Sequence, residues 1–185
     1  MRRSVWIFIP ALLLFLTSFS SAQVSGGNAF FGYSYGSIDL NHGGNTSMNG
    51  FEATLEGKVL PHIGLVADFS GHYGDRGDFP TSTSTASVAG SEYDFLFGPR
   101  VSLSVSRFRP FAEALFGGSH VSVSGRDGLH YSASDTGFTY ALGGGLDYKV
   151  WGPVGWRFQG DFVQTRFFGN TQNDGRFSTG IVLHF

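Results

Sequence analysis

The sequence predicts an all-β fold, and two observations support this prediction. From Gln23 onward, apolar and polar residues alternate with a period of two, which is the pattern of β-strands. Glycine contributes 28 of 185 residues and aromatic residues 16%, whereas charged residues reach only 14%, against roughly 25% in soluble domains. We therefore expect many strands, of which one face does not meet water.

The first 22 residues differ in character from the rest of the chain. Arg2 and Arg3 precede an almost wholly apolar stretch at 5–16, and Ser20 and Ala22 place small residues at the −3 and −1 positions of a cleavage site. This combination is typical of a secretory signal peptide and is too short for a spanning helix with its own flanks. We predict a signal peptide at 1–22 and one domain at 23–185. An uncleaved membrane anchor is the alternative.

The alternating pattern divides into eight segments. In each segment, one face carries aromatic and aliphatic residues, and the other carries glycines, small polar residues and charges. The predicted strands are Ala29–Ser37, Asn49–Val59, Ile63–Tyr73, Glu92–Leu103, Phe108–Gly118, Gly137–Val150, Val154–Thr165 and Arg176–Phe185. The fifth strand is the least regular, because Leu115 falls on the face of Glu113.

The connections between the segments indicate their arrangement. Short connections lie around residues 60–62, 104–107 and 151–153. Longer polar connections lie at residues 38–48, 74–91, 119–136 and 166–175. This strict alternation is typical of outer-membrane barrels, which have short periplasmic turns and long outer loops. We predict a closed antiparallel up-and-down transmembrane β-barrel of eight strands in the cell outer membrane, with a secreted β-sandwich or a soluble barrel as the alternative.

The two faces predict an outer wall and a lumen. Candidates for aromatic girdles at the two membrane interfaces are Tyr33, Tyr35, Tyr73, Tyr93, Tyr140, Tyr148, Trp151 and Trp156. The other face carries charges of nearly balanced sign, at Glu52, Glu56, Lys58, Asp68, Glu92, Asp94, Arg100, Arg109, Glu113, Asp147, Lys149, Arg157, Asp161 and Arg176. Charges removed from bulk water must be paired, so we predict a salt-bridge network that fills a narrow lumen. A gated path for ions or protons is the alternative.

Three stretches resemble a known family, the OmpA-like or porin-family β-barrels of Gram-negative bacteria. Residues 30–35 (FFGYSY) are similar to the first strand of that family, and residues 157–162 (RFQGDF) to the seventh. Residues 178–185 (STGIVLHF) resemble the signal that the barrel-assembly machinery reads, with Ser178, Gly180, Leu183 and Phe185 at its fixed offsets. The resemblance implies insertion by that machinery among outer-membrane lipid and lipopolysaccharide. It implies no single activity, because a fold does not fix function.

Few residues indicate a catalytic site or a site for a metal or cofactor. The chain has no cysteine, its six histidines include no close pair at metal-ligand spacing, and residues 143–145 (GGG) lie inside a strand pattern, so we predict no cofactor and no metal. We expect that glycine run to let neighbouring side chains cross the lumen or to permit bending. His120 and Ser122 share one strand face and resemble a base and nucleophile, as in outer-membrane lipid A deacylases, with Asp127 or Asp135 as the orienting acid. A polar strand end is the plainer interpretation.

The remaining features limit the function classes. Arg76, Gly77 and Asp78 match the tripeptide of some integrin ligands, although an ordinary turn in an outer loop accounts for them. The formal charge of −2 argues against nucleic acid as a partner. We expect no periplasmic peptidoglycan-binding domain. We predict a structural or surface-interaction protein that is not an enzyme, with a narrow gated pore and a lipid A-modifying enzyme as alternatives.

Overall fold

The structure is a closed antiparallel barrel of eight strands, as predicted. It is a computed structural model that describes residues 26–40, 44–80, 85–127, 129–167 and 170–185, so the predicted signal peptide lies outside the described residues. Each strand pairs with its neighbours in sequence, and the first pairs with the last. The strands are β1 (Gly27–Leu40), β2 (Gly44–Leu60), β3 (Ile63–Pro80), β4 (Thr85–Ser102), β5 (Phe108–Asp127), β6 (Leu129–Trp151), β7 (Val154–Phe167) and β8 (Asn170–His184).

The three short connections lie at one end of the barrel, where the seam between β1 and β8 also begins. At the seam, the Gly27 amide donates to the Phe185 carbonyl at 2.8 Å, and the Phe185 amide donates back to Gly27 at 3.1 Å. Gly152, in the turn between β6 and β7, has a φ of +56°, a conformation that favours glycine. The predicted positions of the short turns are confirmed by these strand bounds.

The predicted long loops are wrong, because most of their residues continue the hairpins. β4 begins at Thr85 instead of Glu92, β5 ends at Asp127 instead of Gly118, and β6 begins at Leu129 instead of Gly137. Beyond the apolar band both faces of a hairpin meet water, so the alternation of apolar and polar residues is lost while the hydrogen-bonded ladder continues. The backbone of residues 76–78 likewise lies in β3, and their side chains are not among those described.

The outer wall of the barrel is apolar and the interior is polar, which is the reverse of a soluble protein. Large outward-facing residues include Phe31, Leu55, Leu65, Phe69, Phe95, Phe97, Phe138, Leu142, Phe158, Phe162, Phe177 and Ile181. Apolar surface of this extent marks a wall that contacts something other than water. None of the described residues forms a helix long and apolar enough to cross a membrane.

Amphipathic aromatic residues border this wall at both ends. Away from the short turns, the Tyr73 and Tyr93 hydroxyls are 2.8 Å apart, and the Tyr140 hydroxyl donates to Gln164 at 2.7 Å. Near the short turns, the Trp156 indole donates to Thr179 at 2.8 Å. Rings with an exposed apolar body and a hydrogen-bonded polar tip suit the two interfaces of a membrane.

Candidate functional site: the barrel lumen

Arg176 lies at the centre of a cluster of buried acids. Its guanidinium is 3.2 Å from Asp68, 2.9 Å from Asp161 and 3.5 Å from Glu52, measured between nitrogen and oxygen. The Arg176 side chain is 2% exposed and the three acids at most 1%. Because the acids belong to β3, β7 and β2, the arginine on β8 links strands from different sides of the barrel.

Arg100 forms a second cluster with two glutamates. Its Nη2 lies 2.6 Å from Glu113 Oε2 on the neighbouring strand β5, and its Nη1 lies 3.4 Å from Glu56 Oε2 on β2. The Gln159 side-chain amide joins the first two clusters, because its Nε2 is 2.9 Å from both Glu52 and Glu113. The result is one continuous polar network across the lumen.

Arg157 occupies the part of the lumen closer to the short turns. Its Nε and Nη2 donate to the two oxygens of Asp147 at 2.6 and 2.9 Å, a bidentate pairing that matches the carboxylate geometry. Its guanidinium also donates to Asn28 at 2.9 Å and to Thr54 at 3.2 Å. Arg157 thereby connects β7 and β6 to β1 and β2.

Two phenylalanines, Phe30 and Phe111, lie inside the lumen, a position that was not predicted for either of them. The Arg157 guanidinium carbon is 5.0 Å from the Phe30 ring centre and 4.6 Å from that of Phe111, and that of Arg100 is 4.3 Å from Phe111. A desolvated cation over an aromatic face gains about 2 kcal/mol. The signal was available, because Phe30 and Phe111 share the period-two positions of Gly32 and Glu113.

At the end of the lumen away from the short turns, hydroxyl groups form the hydrogen bonds between strands. Asp94 accepts hydrogen bonds from Ser70 at 3.0 Å and from Ser119, whose hydroxyl is also 2.6 Å from that of Thr139. Ser119 lies at the start of a stretch that was predicted to be a loop, so its position in the lumen was not predicted. Glu92 is 8% exposed at this end.

One side of the lumen is apolar. Its buried residues form a cluster of Val66, Leu96, Leu115, Ala141 and Val163. The inward position of Leu115 explains the irregular pattern of the fifth strand. Aliphatic side chains therefore pack in the interior beside the ionic network.

Toward the short turns the predicted cations become more exposed. Lys58 is 10% exposed and lies 3.8 Å from Glu56, whereas Arg109 is 18% exposed and lies 4.0 Å from the same carboxylate. Lys149 is exposed at the rim, outside the network of ion pairs among the described residues.

Gly143 and Gly145 leave space for side chains that cross the lumen, as predicted for the glycine run. A Cβ on Gly143 would overlap with Asp161 Oδ1, and a Cβ on Gly145 would lie 2.7 Å from the Phe111 ring. We expect Gly143→Ala to lower the free energy of unfolding by about 1–3 kcal/mol through overpacking. Gly160→Ala on β7, where no atom lies within 4 Å of the new Cβ, is the control. Urea titration in lipid vesicles measures both, and equal effects would contradict the steric argument.

His120 and Ser122 lie on the outer wall instead of in the lumen. The Ser122 hydroxyl is 3.3 Å from His120 Nε2, and His120 Nδ1 is 2.8 Å from the Thr136 hydroxyl. Asp135 Oδ1 accepts a hydrogen bond from the Thr136 amide at 2.9 Å, and the Asp127 side chain is not among those described. A serine–histidine–acid triad needs a carboxylate on that ring nitrogen, where this structure places a hydroxyl.

The residues of the proposed assembly signal divide between the two faces of β8. Ser178 and Gly180 face the lumen, where the Ser178 hydroxyl is 2.9 Å from that of Ser34. Leu183 and Phe185 are 47% and 67% exposed on the outer wall. The polar and small residues of the signal therefore pack inside, and its hydrophobic residues face outward.

A closed barrel with an ion-paired interior, an apolar wall and aromatic residues at both rims has the features of a transmembrane β-barrel protein. A family model described as the outer membrane protein beta-barrel domain matches residues 8–185. The chain belongs to this family and is an outer-membrane β-barrel protein.

Solved structures of outer-membrane proteins share the fold. Ail, the attachment invasion locus protein of Yersinia pestis, aligns with a TM-score of 0.62 at 15% identity, over 86% of this chain and 97% of Ail. Neisserial surface protein A aligns with a TM-score of 0.59 at 10% identity, over 86% of this chain and 97% of that protein. The protease OmpT of Escherichia coli aligns with a TM-score of 0.50 at 11% identity, over 88% and 97%. No curated protein matches the chain.

Proposed function

We propose that this protein is a closed barrel with a structural or surface-interaction role, whose lumen does not conduct ions. The observation that carries the proposal is the set of arginines at Arg100, Arg157 and Arg176, each at most 2% exposed and bonded across the lumen to other strands. An eight-stranded barrel has an interior just wide enough for side chains to fill. Together with the aliphatic cluster, the network leaves the barrel plugged.

Single-channel recording tests the closed lumen. We expect no discrete conductance steps from protein refolded into planar bilayers, with folding checked by the circular dichroism of β-structure. Reproducible steps whose size changes in Glu56→Gln, Lys58→Gln or Arg157→Gln would overturn the plug. They would make the gated pore the primary function, because those side chains would then line the path.

The hairpins beyond the tyrosines support a surface role. β3 continues from Gly74 to Pro80, which is about 20 Å at ~3.3 Å per residue, and β4 pairs with it there. Ail is named for attachment and invasion, and Neisserial surface protein A for its surface position. By analogy, we assign the exposed hairpins of this chain to contact with a surface partner. Shortening the β5–β6 hairpin would abolish that contact without changing the stability of the barrel.

We also propose that β8 is the segment through which the barrel-assembly machinery receives the chain, and that lipopolysaccharide and phospholipid surround the wall. The exposure of Leu183 and Phe185 supports this, because both side chains are available to a partner on the lipid side. The aromatic rims support the lipid contact, since such rings favour the headgroup region.

A further inference from the structure

An open pocket of about 360 Å³ occupies the barrel mouth at the short-turn end. The side chains of Arg107, Arg109 and Lys149 line it, together with Ser104 and Ser106. The lumenal network does not account for this group of cations. Arg107 lies in the turn between β4 and β5, and Lys149 lies at the end of β6, so the pocket spans adjacent hairpins.

The cations of this pocket are poorly matched by acids. The acid in the lining is Asp147, which Arg157 already holds in a bidentate contact. Arg109 lies 4.0 Å from Glu56, a long ion pair, and its closer contacts are with Ser102 at 3.3 Å and His184 Nδ1 at 3.0 Å. Within the described part of the chain, neither Arg107 nor Lys149 forms an ion pair. Cationic side chains that outnumber the acidic ones around a pocket favour an anionic ligand.

The backbone of the β4–β5 turn holds Arg107 at the mouth. Val105 and Phe108 exchange both backbone hydrogen bonds, at 2.8 and 2.9 Å, so Ser106 and Arg107 form a two-residue loop. Ser106 has a φ of +57°, a left-handed conformation that is costly for a residue with a side chain. Glycine would avoid this cost, but it would also remove a hydroxyl from the pocket lining. Strain of this kind is often retained where a side chain contacts a ligand.

The surroundings of the pocket place it at the height of lipid headgroups. Phe108 and Phe185 line the pocket and are 49% and 67% exposed, and Trp151 beside it is 81% exposed. Aromatic residues of this kind lie at the interface between headgroups and acyl chains. Short turns face the periplasm in outer-membrane barrels, so the pocket opens at the phosphates of the periplasmic leaflet.

We propose that this pocket binds a phosphate group, with Arg107, Arg109 and Lys149 as its donors. The planar guanidinium of arginine matches phosphate oxygens in pairs, and lysine adds a compact charge. The position of the pocket favours the phosphodiester headgroup of an anionic phospholipid over a free phosphate. The site lies at the opposite end of the molecule from the outer hairpins and is independent of the surface role.

Tryptophan fluorescence gives a direct readout, because Trp151 and Trp156 both lie at this end and are the two tryptophans outside residues 1–22. The refolded protein is placed in vesicles that contain dibrominated phosphatidylglycerol or dibrominated phosphatidylcholine, which quench nearby indoles. We expect quenching to show preferential binding of phosphatidylglycerol. The variant R107Q/K149Q should reduce the preference by about fivefold or more, as expected for charges at a lipid surface.

The control is R166Q, which removes an exposed charge at the far end of β7 and should leave the preference unchanged. A second arm titrates inorganic phosphate into phosphatidylcholine vesicles. A saturable fluorescence change in this arm that is lost in R107Q/K149Q, with no preference between the two lipids, would show that the pocket binds free phosphate and not a lipid headgroup. No response in either arm, or responses that R107Q/K149Q leaves intact, would overturn the proposal. Circular dichroism of each variant verifies that the barrel has folded.

Discussion

Replacing Arg176 by methionine is expected to lower the free energy of unfolding by about 3–5 kcal/mol, because the change leaves buried carboxylates without their partner. Glu52, Asp68 and Asp161 lie within 3.5 Å of the guanidinium and are at most 1% exposed. Methionine keeps much of the length and volume of the side chain, so the loss reports mainly on charge. Urea titration in phospholipid vesicles, followed by the fluorescence of Trp151 and Trp156, measures the change.

A compensating variant separates unpaired charge from lost packing. Adding Asp68→Asn and Asp161→Asn to Arg176→Met replaces two of the unpaired carboxylates by neutral amides. We expect this triple variant to regain a large part of the lost free energy of unfolding. Arg166→Met removes an exposed arginine and should leave the unfolding midpoint unchanged. If Arg176→Met behaves like Arg166→Met, or if the triple variant is no more stable than the single one, the ionic network does not hold the barrel together.

That the side chains of Arg176 and Asp161 point into the lumen was predictable from the sequence, because side chains in a strand alternate strictly between two faces. Their partners were not predictable to the same degree. Which acid on β3 comes opposite an arginine on β8 depends on the tilt and stagger of the strands, and period-two alternation does not contain that information. The sequence therefore predicted a network but none of its individual contacts.

Phe30 and Ser119 show two further reasons for missed contacts. Aromatic residues dominate the outer wall, so Phe30 was overlooked even though its position in the alternation puts it inside. Ser119 was assigned to a loop because residues 119–136 form a long, polar stretch. In the structure the ladder continues to Asp127, since hairpin hydrogen bonds do not need an apolar face.

Gly180→Ala is expected to destabilise the barrel by about 3 kcal/mol, because the added methyl group pushes β1 and β8 apart at their seam. This value is at the upper end of the usual range for overpacking. Gly180 pairs with Gly32 across the seam, and a Cβ on Gly180 would overlap with the Gly32 Cα and the Phe31 carbonyl. Backbone atoms cannot move aside as a flexible side chain does. Gly175→Ala is the matched control on the same strand, since no atom lies within 4 Å of its new Cβ.

Gly180 also belongs to the proposed assembly signal. Comparing Gly180→Ala in lipid vesicles and in cells therefore distinguishes a steric role at the seam from recognition by the assembly machinery. Refolding into pure phospholipid vesicles involves no assembly machinery, so a defect of this variant there reports on closure of the seam. We expect the variant to lose stability there as well as to insert poorly in cells, whereas Gly175→Ala succeeds in both. Normal refolding in vesicles with poor insertion in cells would contradict the steric role and assign Gly180 to recognition by the machinery. The seam contacts favour the first outcome, because the two paired glycines leave no volume for even one added methyl group.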